Sequence, residues 1–203
     1  MAAKSGRLIG QSLLVAVFAV VMSTACQSPG VSDVPELAAP PADSLLTQAD
    51  APPLSALPIA ARPPSQLQAV KRMLIASAER HGVNPYLVMG IAWWESGWDQ
   101  RQVSSTGAIG IMQVEPATAQ SAGPLLLHRV ANIHDPADNI ELGTAVLRED
   151  LDMFQNDLAK ALIAYYAGPA AVTGWKDQSA DAQRYVWGIF RLAQAFSNGT
   201  GPA

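Results

Sequence analysis

The 203-residue chain has one cysteine, Cys26, which excludes an intramolecular disulfide and any multi-thiolate metal site. Charge is scarce at 15% of residues and slightly acidic at −4, so no basic surface is offered to nucleic acid. Aromatics make up only 6%, and apart from Phe18 none precedes Tyr86. A core built on large side chains therefore has to lie in the second part of the chain. The longest early apolar run, Leu13 to Met22, spans ten residues where a bilayer crossing needs about twenty. No window alternates with period two for long enough to make a strand, which leaves an all-α architecture.

What is present at the start is an export signal. Lys4 and Arg7 precede the apolar run, and small residues, Ser23-Thr24-Ala25, follow it directly before Cys26. The segment resembles a bacterial lipoprotein signal, in which cleavage leaves a lipid-bearing cysteine, although Ser23 stands where leucine is usual. Ordinary cleavage after Ser-Thr-Ala, leaving a free thiol, is the second reading. Both place the signal at 1–25 and the protein outside the cytoplasm, and lipidation would anchor it to the membrane at Cys26 on the periplasmic or cell-surface side. Removing the signal leaves 11 basic against 17 acidic residues.

Residues 27–64 hold nine of the fifteen prolines and no aromatic residue. Pro40-Pro41, Pro52-Pro53 and Pro63-Pro64 stop helices and deny strands their donors, so 26–64 reads as a disordered Pro/Ala-rich tether. Largely extended, it would reach roughly 100 Å. The folded domain is expected over 65–203, as a monomer.

Its pattern is helical. Leu67, Val70, Leu74, Ile75 and Ala78 share a stripe, with Ser65 as expected N-cap and Gly82 as stop. Asn84-Pro85 opens a second helix through cap and N1 chemistry; it carries no charge before Glu95 and so is expected to be buried all round. Ser96-Gly97 closes it. After a loop at 103–110 the pattern predicts short helical stretches near 110–122, a long helix from Pro136 toward Phe154, and helices at 157–167 and 180–196.

Glu95 follows Leu87, Val88 and Ile91 by eight, seven and four residues, which places it on their face and beside Trp94. Apolar burial, the negative end of the helix and the tryptophan neighbours all favour the protonated acid. Such an acid can protonate a glycosidic oxygen, as the lysozyme glutamate beside a tryptophan does. Position alone also allows a terminal-turn glutamate that turns into solvent.

The surrounding text narrows the choice. Trp93 to Trp98 reads WWESGW, Ser105 to Val114 reads STGAIGIMQV, Asp135 to Ile140 reads DPADNI with Gly143 following, and Ala161 to Pro169 reads ALIAYYAGP. In this order they resemble the soluble lytic transglycosylase family, over about residues 66–190. The resemblance implies a lysozyme-like helical domain acting on peptidoglycan glycan strands without metal or cofactor. Glu95 would be its single catalytic acid and base. Ser96, Met112, Gln113, Tyr165, Tyr166 and Tyr185 would be its substrate-side residues.

The family serine helps position the N-acetylated sugar, which maps to Ser96. Gln113 would line the cleft by its amide or brace its loop, with Gly107 and Gly110 letting that loop pass close to sugar. Tyr165 is expected to hydrogen-bond the catalytic carboxyl. Tyr166 stands where the family usually has asparagine, exchanging a compact amide for a possible stacking surface. Tyr185 resembles a later family tyrosine near the cleft, although its helical spacing also suits a core position. Trp98 is a candidate sugar platform, whereas Trp93, Trp94, Trp175 and Trp187 read as packing. His81, His128 and His134 lack metal-ligand spacing.

Family chemistry implies cleavage of the MurNAc-GlcNAc bond with 1,6-anhydro ends. Two rivals stand beside it. One is a muramidase or chitin hydrolase on the same scaffold, with Asp99 placing a water. The other is an inactive cell-wall-binding module that keeps the cleft.

Overall fold

A computed structural model describes Leu37, Ala39, Pro40 and residues 62–202. The signal, Cys26 and most of the tether lie outside the described residues. Among the described residues six α-helices follow in order, α1 (Pro64–His81), α2 (Pro85–Ser96), α3 (Pro116–Leu126), α4 (Pro136–Met153), α5 (Leu158–Ala167) and α6 (Ala180–Ser197), with short 3-10 turns at Pro169–Ala171 and Trp175–Asp177 between the last two. Extended pairing among the described residues is limited to two isolated antiparallel bridges, Val103 with Ile109 and Ile109 with Val114.

Local chemistry sets most boundaries. Asn84 accepts from the amides of Tyr86 and Leu87 at 2.9 and 3.3 Å, and Pro85 occupies the first helical position of α2. Asp135, Asp157 and Ser179 cap α4, α5 and α6 in the same way. Gly82 and Gly97 end α1 and α2 in the left-handed region, at φ 62° and 57°. Two expectations are corrected. Helix α1 starts at Pro64 with Pro63 at its cap position and no side-chain cap, so Ser65 lies inside the helix. Residues 110–113 form a turn, because Gly110 and Gln113 take φ 81° and 48°; the helix begins only at Pro116.

Helix α2 is the central element, burying every residue from Leu87 to Trp93. It packs most closely on α6, and two glycines set the spacing. A Cβ at Gly90 would lie 3.1 Å from the Ile189 carbonyl oxygen, and one at Gly188 would overlap the Trp94 ring. Trp93 and Trp98 meet Phe196 of α6 in an aromatic cluster, with Trp98 stacked on Phe196 at 5.4 Å.

Two described residues ahead of α1 meet this domain. Leu37 packs against it, and the Arg62 side chain, 3% exposed, donates to the Gly97 carbonyl at the end of α2. Its guanidinium lies 3.7 Å from Asp99, which is itself held by Arg101 through bonds of 3.0 and 2.9 Å. The Arg101 hydrogen bond keeps the Asp99 carboxyl below its ordinary range, and burial lowers the Arg62 value.

Candidate active site

The C-terminal turn of α2 brings Glu95 to the wall of a cleft of about 580 Å³. The Tyr185 hydroxyl, from α6, donates to Glu95 Oε1 at 2.6 Å. Tyr185 is buried, with the Trp94 ring edge-on at 6.0 Å and the Tyr166 ring at 4.7 Å. Burial pushes the Glu95 carboxyl up to about 7, against the Tyr185 hydrogen bond, which favours the ionised form. Acid and carboxylate are therefore both accessible near neutral pH, as a group serving alternately as acid and base requires.

Another part of the cleft wall is a turn fastened from three sides. Ser96 Oγ donates to the Ile111 carbonyl at 2.9 Å and accepts from the Asp99 amide at 3.2 Å. Asn139, fully buried on α4, accepts from the Met112 amide and donates to the Ile109 carbonyl, each at 2.8 Å. The Tyr165 hydroxyl donates to the Met112 carbonyl at 2.9 Å. Gly143 makes room for this junction, since a Cβ there would fall 2.5 Å from Met112 Cβ and 3.1 Å from the Tyr165 hydroxyl.

Several expected roles shift. Tyr185, not Tyr165, bonds the carboxyl; Tyr165 braces the turn and lines the cleft. Ser96 spends its hydroxyl on the backbone rather than facing sugar. The Met112 side chain is fully buried, so only its backbone takes part, in the turn. Trp98 is 1% exposed, with its Nε1 donating to the Met89 carbonyl, which removes it as a sugar platform. Gly110 is required by Gln100 and Asn139, whose side chains a Cβ would strike, rather than by an approaching sugar. Gln113 does line the cleft, and its Nε2 donates to the Gly110 carbonyl at 2.9 Å. Tyr166, 48% exposed, stands on the cleft wall.

Four positions were missed from the residues alone. Gln100 and Asn139 are polar ties whose partners are backbone atoms distant in sequence, so no local spacing signals them. Arg62 sits in text that reads as tether. Asp150 lines the cleft seven residues after Gly143 and three after Leu147, an acid on the buried face of α4; that interruption of an apolar stripe was the available signal.

A buried central helix that ends in a cleft carboxyl, packed on α6 and α1 within an otherwise helical domain, defines an all-α, lysozyme-like fold. The chain belongs to the family described as Transglycosylase SLT domain, which matches residues 72–187. It is 35% identical over 127 residues to a protein named Transglycosylase from Enterobacteria phage PRD1, covering 63% of this chain and 44% of that one. It is 38% identical over 110 residues to membrane-bound lytic murein transglycosylase C of Actinobacillus pleuropneumoniae, covering 47% of this chain and 29% of that one. Among solved structures, an inactive mutant of the lytic transglycosylase Slt from Pseudomonas aeruginosa superimposes with a TM-score of 0.57 at 24% identity, over 64% of this chain and 24% of that one. That likeness establishes the fold. The chain spans less than half the length of these relatives.

Proposed function

We propose that this chain is a peptidoglycan lytic transglycosylase, cleaving the β-1,4 bond between MurNAc and GlcNAc and leaving 1,6-anhydro-MurNAc ends. The observation that carries it is Glu95, a cleft carboxyl poised near pH 7 under the Tyr185 hydroxyl. The acid form of Glu95 donates its proton to the glycosidic oxygen as the C–O bond breaks, and the sugar's 2-acetamido group stabilises the cationic carbon. The resulting carboxylate takes the proton of the same sugar's 6-hydroxyl, whose oxygen closes on the anomeric carbon. The attacking group is already attached to the substrate, so neither water nor a second carboxylate is needed. Tyr166 supports this reading by offering an aromatic face on which a sugar ring can stack.

The hydrolase reading in its Asp99 form loses its water-placing group, because Asp99 is 4% exposed and committed to Arg62 and Arg101. Product analysis on purified peptidoglycan tests the proposal. Anhydro ends are expected; reducing ends would move the chain to the hydrolases, and intact glycan would make it a binding module.

Membrane attachment belongs to the same proposal. Support comes from Cys26, which directly follows small residues, and from the relative named as membrane-bound. Among the described residues no helix is long and apolar enough to cross a membrane. Cys26→Ser is expected to abolish fatty-acid labelling and move the protein from the membrane to the soluble fraction. An unlabelled, soluble wild type would establish ordinary cleavage after Ala25.

A further inference from the structure

The cleft that holds Glu95 contains a second buried carboxyl on its wall, that of Asp150 on α4. Asp150 is 5% exposed, and its Oδ2 is sealed from solvent with no hydrogen-bond partner. The neighbouring cation does not serve it, because Arg148 Nη2 is committed to Asp152 and Asn156 at 2.8 and 2.9 Å. A carboxyl left in this state destabilises the free protein. Asp150 nonetheless lines the cleft, so rotation of its carboxyl would bring that oxygen to a ligand rich in hydroxyl and amide groups.

We propose that Asp150 is a substrate-binding residue of this cleft, its carboxyl hydrogen-bonding an O–H or acetamido N–H group of the bound glycan away from the bond cleaved at Glu95. This rests on the glycan-cleaving reading of the site.

Two further observations bear on the pair of acids. Burial, and after it the adjacent Glu149, push the Asp150 carboxyl up to about 7, whereas Glu95 is not among the charges that bear on it. The two acids, Glu95 and Asp150, line the same cleft. Both act on the phenol of Tyr165, which is raised well above its ordinary range by burial first and then by Glu95 and Asp150. Tyr165 therefore lies within the electrostatic reach of both groups, and all three residues line the one cleft a glycan would occupy.

The test measures three quantities on the full chain for Asp150→Leu and Asp150→Asn. In a Glu95→Gln background, binding of an N-acetylglucosamine tetramer is followed by calorimetry; in the active chain, KM and kcat are measured on peptidoglycan; thermal midpoints are recorded for all. Asp150→Leu is expected to weaken tetramer binding about 10-fold or more and to raise KM by more than it lowers kcat. It should also raise the melting temperature by several degrees, because the unpartnered carboxyl is gone. The smaller change, Asp150→Asn, guards against repacking effects and should weaken binding less.

Unchanged affinity in both variants overturns the assignment of Asp150 while leaving the Glu95 reading standing. A fall in kcat with unaltered tetramer binding also overturns it, by moving Asp150 into the reaction. If the Glu95→Gln chain binds no saccharide at all, the reading of the whole cleft falls and Asp150 with it.

Discussion

Glu95→Gln is expected to reduce glycan cleavage by at least ~10²–10⁴, the range attributable to one general acid–base group, with the helical fold intact. Glutamine preserves the shape and can still accept from Tyr185, so what is removed is the titrating proton. The wild-type rate should fall as pH rises through about 7, where Glu95 loses the proton it must donate. Stability has a definite sign too. The folded-state value is raised from 4.5 to about 7, so the contribution of this group is fully present below 4.5 and is lost as pH rises through 7. Across that window the penalty reaches on the order of 3 kcal/mol, from about 1.4 kcal/mol per unit. The Glu95→Gln protein should therefore match the wild type in stability near pH 4 and exceed it at pH 8. A variant that keeps most of its activity, or a stability difference that does not grow between those pH values, would overturn the role given to Glu95.

Helix α1 was legible from its periodic apolar stripe, α2 from an unbroken apolar run behind Asn84-Pro85, and α4 from Pro136. Glu95 was legible as the first charge on the otherwise apolar α2. The turn at 109–114 was not, since its shape depends on Asn139, Gln100 and Tyr165 reaching it from elsewhere in the chain. That is also why motif residues were assigned to sugar when they serve the backbone. Ser96 ends α2 and Met112 lies in the turn; the Ile111 carbonyl and the Asp99 amide take up the Ser96 hydroxyl, while Asn139 of α4 and Tyr165 of α5 take up the Met112 backbone. The exchange of roles between Tyr165 and Tyr185 has a similar origin: α5 and α6 both pack near Glu95, and only their three-dimensional placement shows which hydroxyl reaches the carboxyl.

Asp99→Ala is expected to destabilise the fold by about 3–5 kcal/mol, the range for removing one partner of a buried ion pair. Asp99 meets Arg62 and Arg101, and the two arginines are not equivalent. The Arg101 side chain is largely exposed and can return to water, whereas that of Arg62 is 3% exposed, and its Nε and Nη1 have no hydrogen-bond acceptor. Loss of Asp99 leaves that guanidinium buried with only the Gly97 carbonyl to receive a bond. Replacing Arg62 with Met in the same chain should restore part of the loss, since the uncompensated charge is then gone. The carboxyl of Asp99 is held below its ordinary range, so its contribution is present above the unfolded value of about 3.8 and is lost as pH falls through the folded one. Denaturant unfolding at pH 7 and pH 3 checks this: the difference between wild type and Asp99→Ala should shrink at the lower pH. The milder Asp99→Asn, assayed well below its melting temperature, should retain kcat, because Asp99 is buried beside Arg62 and Arg101 and does not line the cleft. A collapse of kcat in a stable Asp99→Asn protein would instead return Asp99 to the reaction as the group that places a water.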